Sequence, residues 1–262
     1  MGETELYLGE RPSPVRTRYA VLKHLPRARR GYLALRERML EEGRYAHQLA
    51  HQNFLPFLDA EEDDSGFTLA YESPSGIELS RAVTELAHRE EALPFGLIVH
   101  IGRELARATA YAHREHALVL RELRPDTVFV TKEGRILIAT YRLDLGHAEH
   151  QASEAGMVHL APECLSRSEY SVGSDVYALG TLLHTLLAGR APSGSTVPLE
   201  LLEDQGVPEA LISIVARATH PAKAERYRDA LLLATKLESW LVAQGTALTQ
   251  PIVAGFFERH LF

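Results

Sequence analysis

Arg121, Glu122, Arg124, Asp126 and Thr127 crowd into one short polar loop between two apolar runs, Leu118-Val119-Leu120 and Val128-Phe129-Val130. Such a loop is where a scaffold presents chemistry, because its flanks are anchored in a core while its side chains stay accessible. Its carboxylates could accept a proton or hold a cation, and its arginines could grip a phosphate. Lys23 ends the apolar run Tyr19-Ala20-Val21-Leu22, and Asp144 follows a second polar cluster, Thr140-Tyr141-Arg142. Thirteen histidines raise metal chemistry. Their pairs, His47/His51, His113/His116 and His147/His150, lack a third and fourth ligand at suggestive spacing, so no metal is expected.

The elements that must position these residues follow from periodicity. Residues 5–10 and 17–25 alternate apolar with polar around Pro12-Ser13-Pro14 and predict a hairpin. Residues 32–50 have a helical pattern, and residues 54–58 and 67–71 predict strands around the acidic turn 61–66. After the short polar stretch Glu72-Ser73-Pro74-Ser75-Gly76 the pattern turns helical, with Leu97, Ile98, Ile101, Leu105, Ala108 and Ala112 on one stripe. Thr131-Lys132-Glu133-Gly134 predicts a turn and residues 135–139 a returning strand. Residues 174–189 are apolar around most of a helix and predict a buried one. Beyond Gly245, Thr249-Gln250-Pro251 signals a last helix whose apolar face is Ile252, Val253, Phe256, Phe257 and Leu261. That face has two candidate fates, packing on the large lobe or binding a partner.

Composition bounds the function. The 262 residues suffice for one large domain or two packed lobes. The balance of 28 basic against 35 acidic residues, net −7, argues against binding nucleic acid by bulk charge. Cys164 is the sole cysteine, which excludes an internal disulfide and points to a reducing compartment. No apolar run reaches membrane-span length and the first residues lack a signal-peptide pattern, so a cytoplasmic location away from membranes is expected.

The central loop, Leu120-Arg121-Glu122-Leu123-Arg124-Pro125-Asp126-Thr127, resembles without a gap the catalytic loop of protein kinases, H-R-D-L-x-P-x-N before a strand. Tyr19-Ala20-Val21-Leu22-Lys23 is similar to the V-A-I-K strand, Leu160-Ala161-Pro162-Glu163 to the A-P-E end of an activation segment, and Ala224-Glu225-Arg226-Tyr227 to the late arginine motif. The resemblance implies an α+β, two-lobed protein-kinase-like fold. A small β-rich N-lobe (1–72), its first strand and glycine loop missing or degenerate, would join through a hinge (73–76) a helical C-lobe (77–243) and a C-terminal helical extension (244–262). Where the glycine loop belongs stand Gly2, Glu3, Thr4 and Glu5, one glycine and two carboxylates that would repel a polyphosphate.

It also implies roles. Lys23 would contact nucleotide phosphates and pair with Glu42, which could equally be an exposed helix glutamate; Tyr71 would narrow the back of the adenine pocket, and Glu72 would open the hinge. Arg121, Glu163, Asp175 and Arg226 would be architectural: Asp175 would tie down the catalytic loop, and Glu163 would bridge to Arg226. The reacting positions depart from the family. Glu122 replaces the catalytic Asp, Thr127 the metal-binding Asn and Thr140 the metal-binding Asp, unless Asp144-Leu145-Gly146 serves in a rival register. Arg142 would pair with a phosphate or with a carboxylate such as Glu42 or Asp144. Hydroxyls are poor magnesium ligands. The expectation is therefore a pseudokinase, a catalytically inactive regulatory scaffold with a protein partner and a vestigial nucleotide site that could take ATP without magnesium. The alternative is a divergent Ser/Thr kinase or other ATP-dependent transferase of weak activity.

Overall fold

The computed structural model describes residues 4–11, 18–121, 123–143, 157–167, 169–192 and 196–262. Alternating strands build the first sheet. β1 (Glu5–Arg11) and β2 (Arg18–Pro26) form the expected hairpin, followed after α1 (Tyr32–Gln48) by β3 (Phe57–Glu62) and β4 (Gly66–Glu72), in the antiparallel order β1-β2-β4-β3. The strand expected at 54–58 begins later and runs further. Phe54 forms only an isolated bridge to Ile138, and a register shift between Phe57 and Asp59 lets the ladder continue to Glu62. The turn thus narrows to the residues between Glu62 and Gly66, closed by the Asp63 carboxylate on the N–H groups of Ser65 and Gly66.

α1 carries a mostly charged surface and buries Met39, Glu42, Gly43 and Ala46, the spacing of one helix face. Gly43 allows the close approach: a Cβ there would lie 3.1 Å from Leu69 Cδ2 of β4. This brings Glu42 against the sheet.

β5 (Gly76–Glu78), β6 (Val128–Thr131) and β7 (Ile136–Ile138) form a second, three-stranded sheet under the first. The helical part holds α2 (Leu79–His88), α3 (Phe95–His116), α4 (Pro162–Arg167), α5 (Val172–Ala188), α6 (Glu200–Asp204), α7 (Glu209–Ala218), α8 (Ala230–Ala243) and α9 (Gln250–His260). α5 is buried from Gly173 to Leu187, as its apolar circumference predicts, and α3 buries its whole expected stripe. α9 packs on the large lobe through Val253 and Phe257, both fully buried. Ile252, expected on that face, is half exposed.

Three apolar clusters result among the described residues, and β7 belongs to the two largest. Ile136 and Ile138 point into the large-lobe core, whereas Leu137, Ala139 and Tyr141 join the small-lobe core with Leu25, Met39, Leu55, Phe67, Leu69 and Tyr71. Strand alternation therefore stitches the lobes together directly behind the cleft.

Candidate active site in the cleft between the lobes

Lys23 sits opposite Leu69 in the β2–β4 ladder and reaches α1, where its Nζ lies 2.6 Å from Glu42 Oε2. It also donates to the Tyr141 carbonyl at 3.3 Å. The pair is largely withdrawn from water, with side-chain exposures of 15% and 5%. The alternative of a solvated Glu42 is thereby overturned. Glu42 Oε1 accepts from the Tyr71 hydroxyl at 3.1 Å. The Tyr71 ring is fully buried between Phe57 and Tyr141, at centroid distances of 5.4 and 5.5 Å. Burial, reinforced by the Glu42 charge, holds its pKa well above the ordinary tyrosine value. Tyr71 thus closes the back of the cleft as part of the small-lobe core.

The catalytic-like loop hangs on α5. Asp175, fully buried, accepts from the N–H groups of Leu120 at 2.7 Å and Arg121 at 2.9 Å, and its Oδ2 lies 2.7 Å from His113 Nε2. Held this way, Arg121 adopts φ 65°, a left-handed backbone rarely taken by residues other than glycine. Its guanidinium lies 4.9 Å above the Tyr170 ring. Glu122 and Asp144 lie outside the described residues.

Thr127 and Thr140 are both fully buried. The Thr127 hydroxyl donates to the Arg124 carbonyl at 2.8 Å and accepts from the Arg124 N–H at 3.1 Å, so the 3-10 turn Pro125–Thr127 uses both of its roles. Among the described residues Thr140 Oγ1 has no hydrogen-bond partner. Neither position supplies a carboxylate, so the anchoring charge for a divalent cation is missing from this donor pair.

Beside them lies Arg142. Its Nη1 donates to Glu78 Oε2 at 2.6 Å and to the Asp126 carbonyl, and its guanidinium lies 5.2 Å from the Phe129 ring centroid. Burial would lower the pKa of this guanidinium, but the hydrogen bonds and charges of Glu78 and Tyr141 together outweigh it and raise the value. Of the expected carboxylate partners, Glu42 is engaged by Lys23 and Asp144 lies outside the described residues; the partner among the described residues is Glu78, which β5 carries beneath the cleft. A fixed positive charge thus covers part of the floor formed by β6.

The hinge is also depleted of donors. The N–H of Glu72 is given to Pro56, that of Ser73 to Tyr19 and that of Gly76 to Pro74, and Pro74 has none. Glu72 itself is exposed at the end of β4.

Away from the cleft, Arg226 meets both oxygens of Glu163, at 2.7 and 2.8 Å, and donates further to the carbonyls of Gly173, His220 and Pro221. Burial would raise the Glu163 pKa, but the Arg226 hydrogen bond and charge leave it below the usual carboxylate value. Sequence reasoning missed Glu78, which carries no linear signal. The missing donor at Pro74 was legible.

A family model for the protein kinase domain matches residues 15–235. The chain is 30% identical over 222 residues to the serine/threonine-protein kinase PksC of Streptomyces coelicolor, covering 75% of this chain and 40% of that protein. It is 27% identical over 213 residues to PrkC of Bacillus subtilis, covering 74% and 32%. The matched part of the chain therefore spans only about a third to two fifths of the length of such relatives. Its fold is similar to the PknI kinase domain of Mycobacterium tuberculosis, with TM-score 0.69, 24% identity and 91% coverage of both chains.

Proposed function

The chain belongs to the protein kinase family, and from that premise we propose that it is a pseudokinase, a kinase-like scaffold that regulates or recruits a protein partner without transferring phosphate. One observation carries this reading: among the described residues, the cation side of the cleft presents two hydroxyls and an arginine held at 2.6 Å by Glu78. Phosphoryl transfer depends on positioning and on neutralising phosphate oxygens, chiefly with divalent metal. A metal entering here would meet a guanidinium and no carboxylate at positions 127 and 140. The depleted hinge donors argue in the same direction for the adenine ring. Lys23 fits a phosphate, so a nucleotide bound without magnesium is the form this cleft would tolerate.

The test is incubation with Mg-ATP and a generic protein substrate. No transfer and no thermal stabilisation by Mg-ATP are expected. Robust transfer that disappears in Glu122→Gln would overturn the proposal.

A second reading, a weak Ser/Thr kinase or another ATP-dependent transferase, draws on the intact Lys23–Glu42 pair. Magnesium-dependent ATP binding separates the two, since only a catalyst gains from the metal.

A further inference from the structure

A cavity of about 780 Å³ opens on the large lobe between the first turn of α5, the end of α7, the loop 223–228 and α8. Val172, Tyr227 and Leu232 contribute apolar wall, and Arg217, Lys223 and Arg228 are exposed at its edge. The Arg226 side chain is saturated by Glu163 and backbone carbonyls, so it lines the cavity without offering free donors.

The cations at the edge differ from it. Arg217 rests 4.7 Å over the Tyr227 ring, and the Lys223 stem lies along Gly173, where a Cβ would meet its carbons at 3.0 Å. Among the described residues neither makes a salt bridge. The nearby carboxylates are largely committed, Glu163 to Arg226, and Asp229 to Arg228 and the N–H of Leu232; Glu225 is exposed in the same loop. Two cations without a salt bridge among the described residues thus flank an apolar hollow on a chain whose net charge is −7.

We propose that this cavity docks an acidic segment of a partner protein. An apolar side chain of the segment enters between Val172, Tyr227 and Leu232, and carboxylates on either side pair with Arg217 and Lys223. Apolar burial supplies affinity and the cations supply selection through complementary charge. The inference rests on the reading of the chain as a protein-binding scaffold and names the chemistry of its partner.

The probe is a fluorescein-labelled peptide with a leucine between pairs of glutamates, followed by anisotropy with the full chain. Saturable binding is expected, weakened about tenfold or more by joint Arg217→Glu and Lys223→Glu reversal and less by Arg217→Gln alone. Arg81→Glu, on α2, is expected to leave binding unchanged, and a peptide with glutamines for glutamates should bind about tenfold more weakly. Absence of saturable binding, equal loss in Arg81→Glu, or equal affinity for the glutamine peptide would each overturn the site. If the chain transferred phosphate yet bound the peptide as expected, the scaffold reading would fall and the docking site would stand.

Discussion

Lys23 and Glu42 form a pair with a structural role of its own. Their 2.6 Å contact braces β2 against α1 whether or not a phosphate arrives. Lys23→Met would leave the Glu42 carboxylate buried with the Tyr71 hydroxyl, and removing one partner of a buried pair costs roughly 3–5 kcal/mol. Tyr71→Phe removes one hydrogen bond and should cost about 1 kcal/mol. Denaturant unfolding of both variants checks the order; a reversed order would mean that the pair is not the brace. Arg142 is the second telling residue. Arg142→Gly uncovers Phe129 and should raise affinity for metal-free ATP on the order of tenfold by calorimetry. Unchanged affinity would show that the Glu78 clasp does not restrict the cleft. His159 sets a pH response. Burial, then the charges of Arg124 and His184, pushes its pKa from 6.5 down to about 4. As pH falls through that window the unfolded chain binds a proton that the folded chain refuses. Stability should therefore drop by on the order of 3 kcal/mol and level off once both forms are protonated. Urea melts at neutral and acid pH should show this slope, and His159→Gln should flatten it.

At the scale of elements, the large lobe depends on contacts between segments distant in sequence. Arg226 ties α4 and the start of α5 to the loop before α8 through three hydrogen bonds, and two more close that loop on itself. Lysine cannot reproduce that planar fork, so Arg226→Lys should cost about 3 kcal/mol or more in chemical denaturation. A near-neutral result would show that the charge alone suffices. The docking of α9 has its own signature in Gly134, at φ 80°, where a Cβ would lie 2.0 Å from the Gln250 carbonyl. The β6–β7 turn and the helix start are therefore in direct backbone contact. That contact and the burial of Phe257 explain why the last helix packs inward. Its apolar stripe was legible in sequence, but which of Ile252 and Phe257 faced the core was not, because the stripe is wider than the groove it fills.

The whole molecule is joined through β7. Ile136 and Ile138 serve one core, Leu137 and Ala139 the other, so neither lobe can lose its packing without disturbing the shared strand. Leu137→Ala, made on the small-lobe side, should destabilise by roughly 2–5 kcal/mol. Trp240 packs against the large-lobe core and is the sole tryptophan. A lowered midpoint reported by its fluorescence is the expected result; an unchanged one would mean that the lobes unfold separately. The sequence by itself determined the order of the elements, the family resemblance and the hydroxyls at positions 127 and 140, because periodicity and motif spacing are properties of neighbours along the chain. It left open which charges meet. Tertiary structure alone gave Arg142 to Glu78, withdrew Glu42 from water and grouped Arg217 with Lys223 beside a cavity, because each contact joins segments that only the packed fold brings within bonding distance.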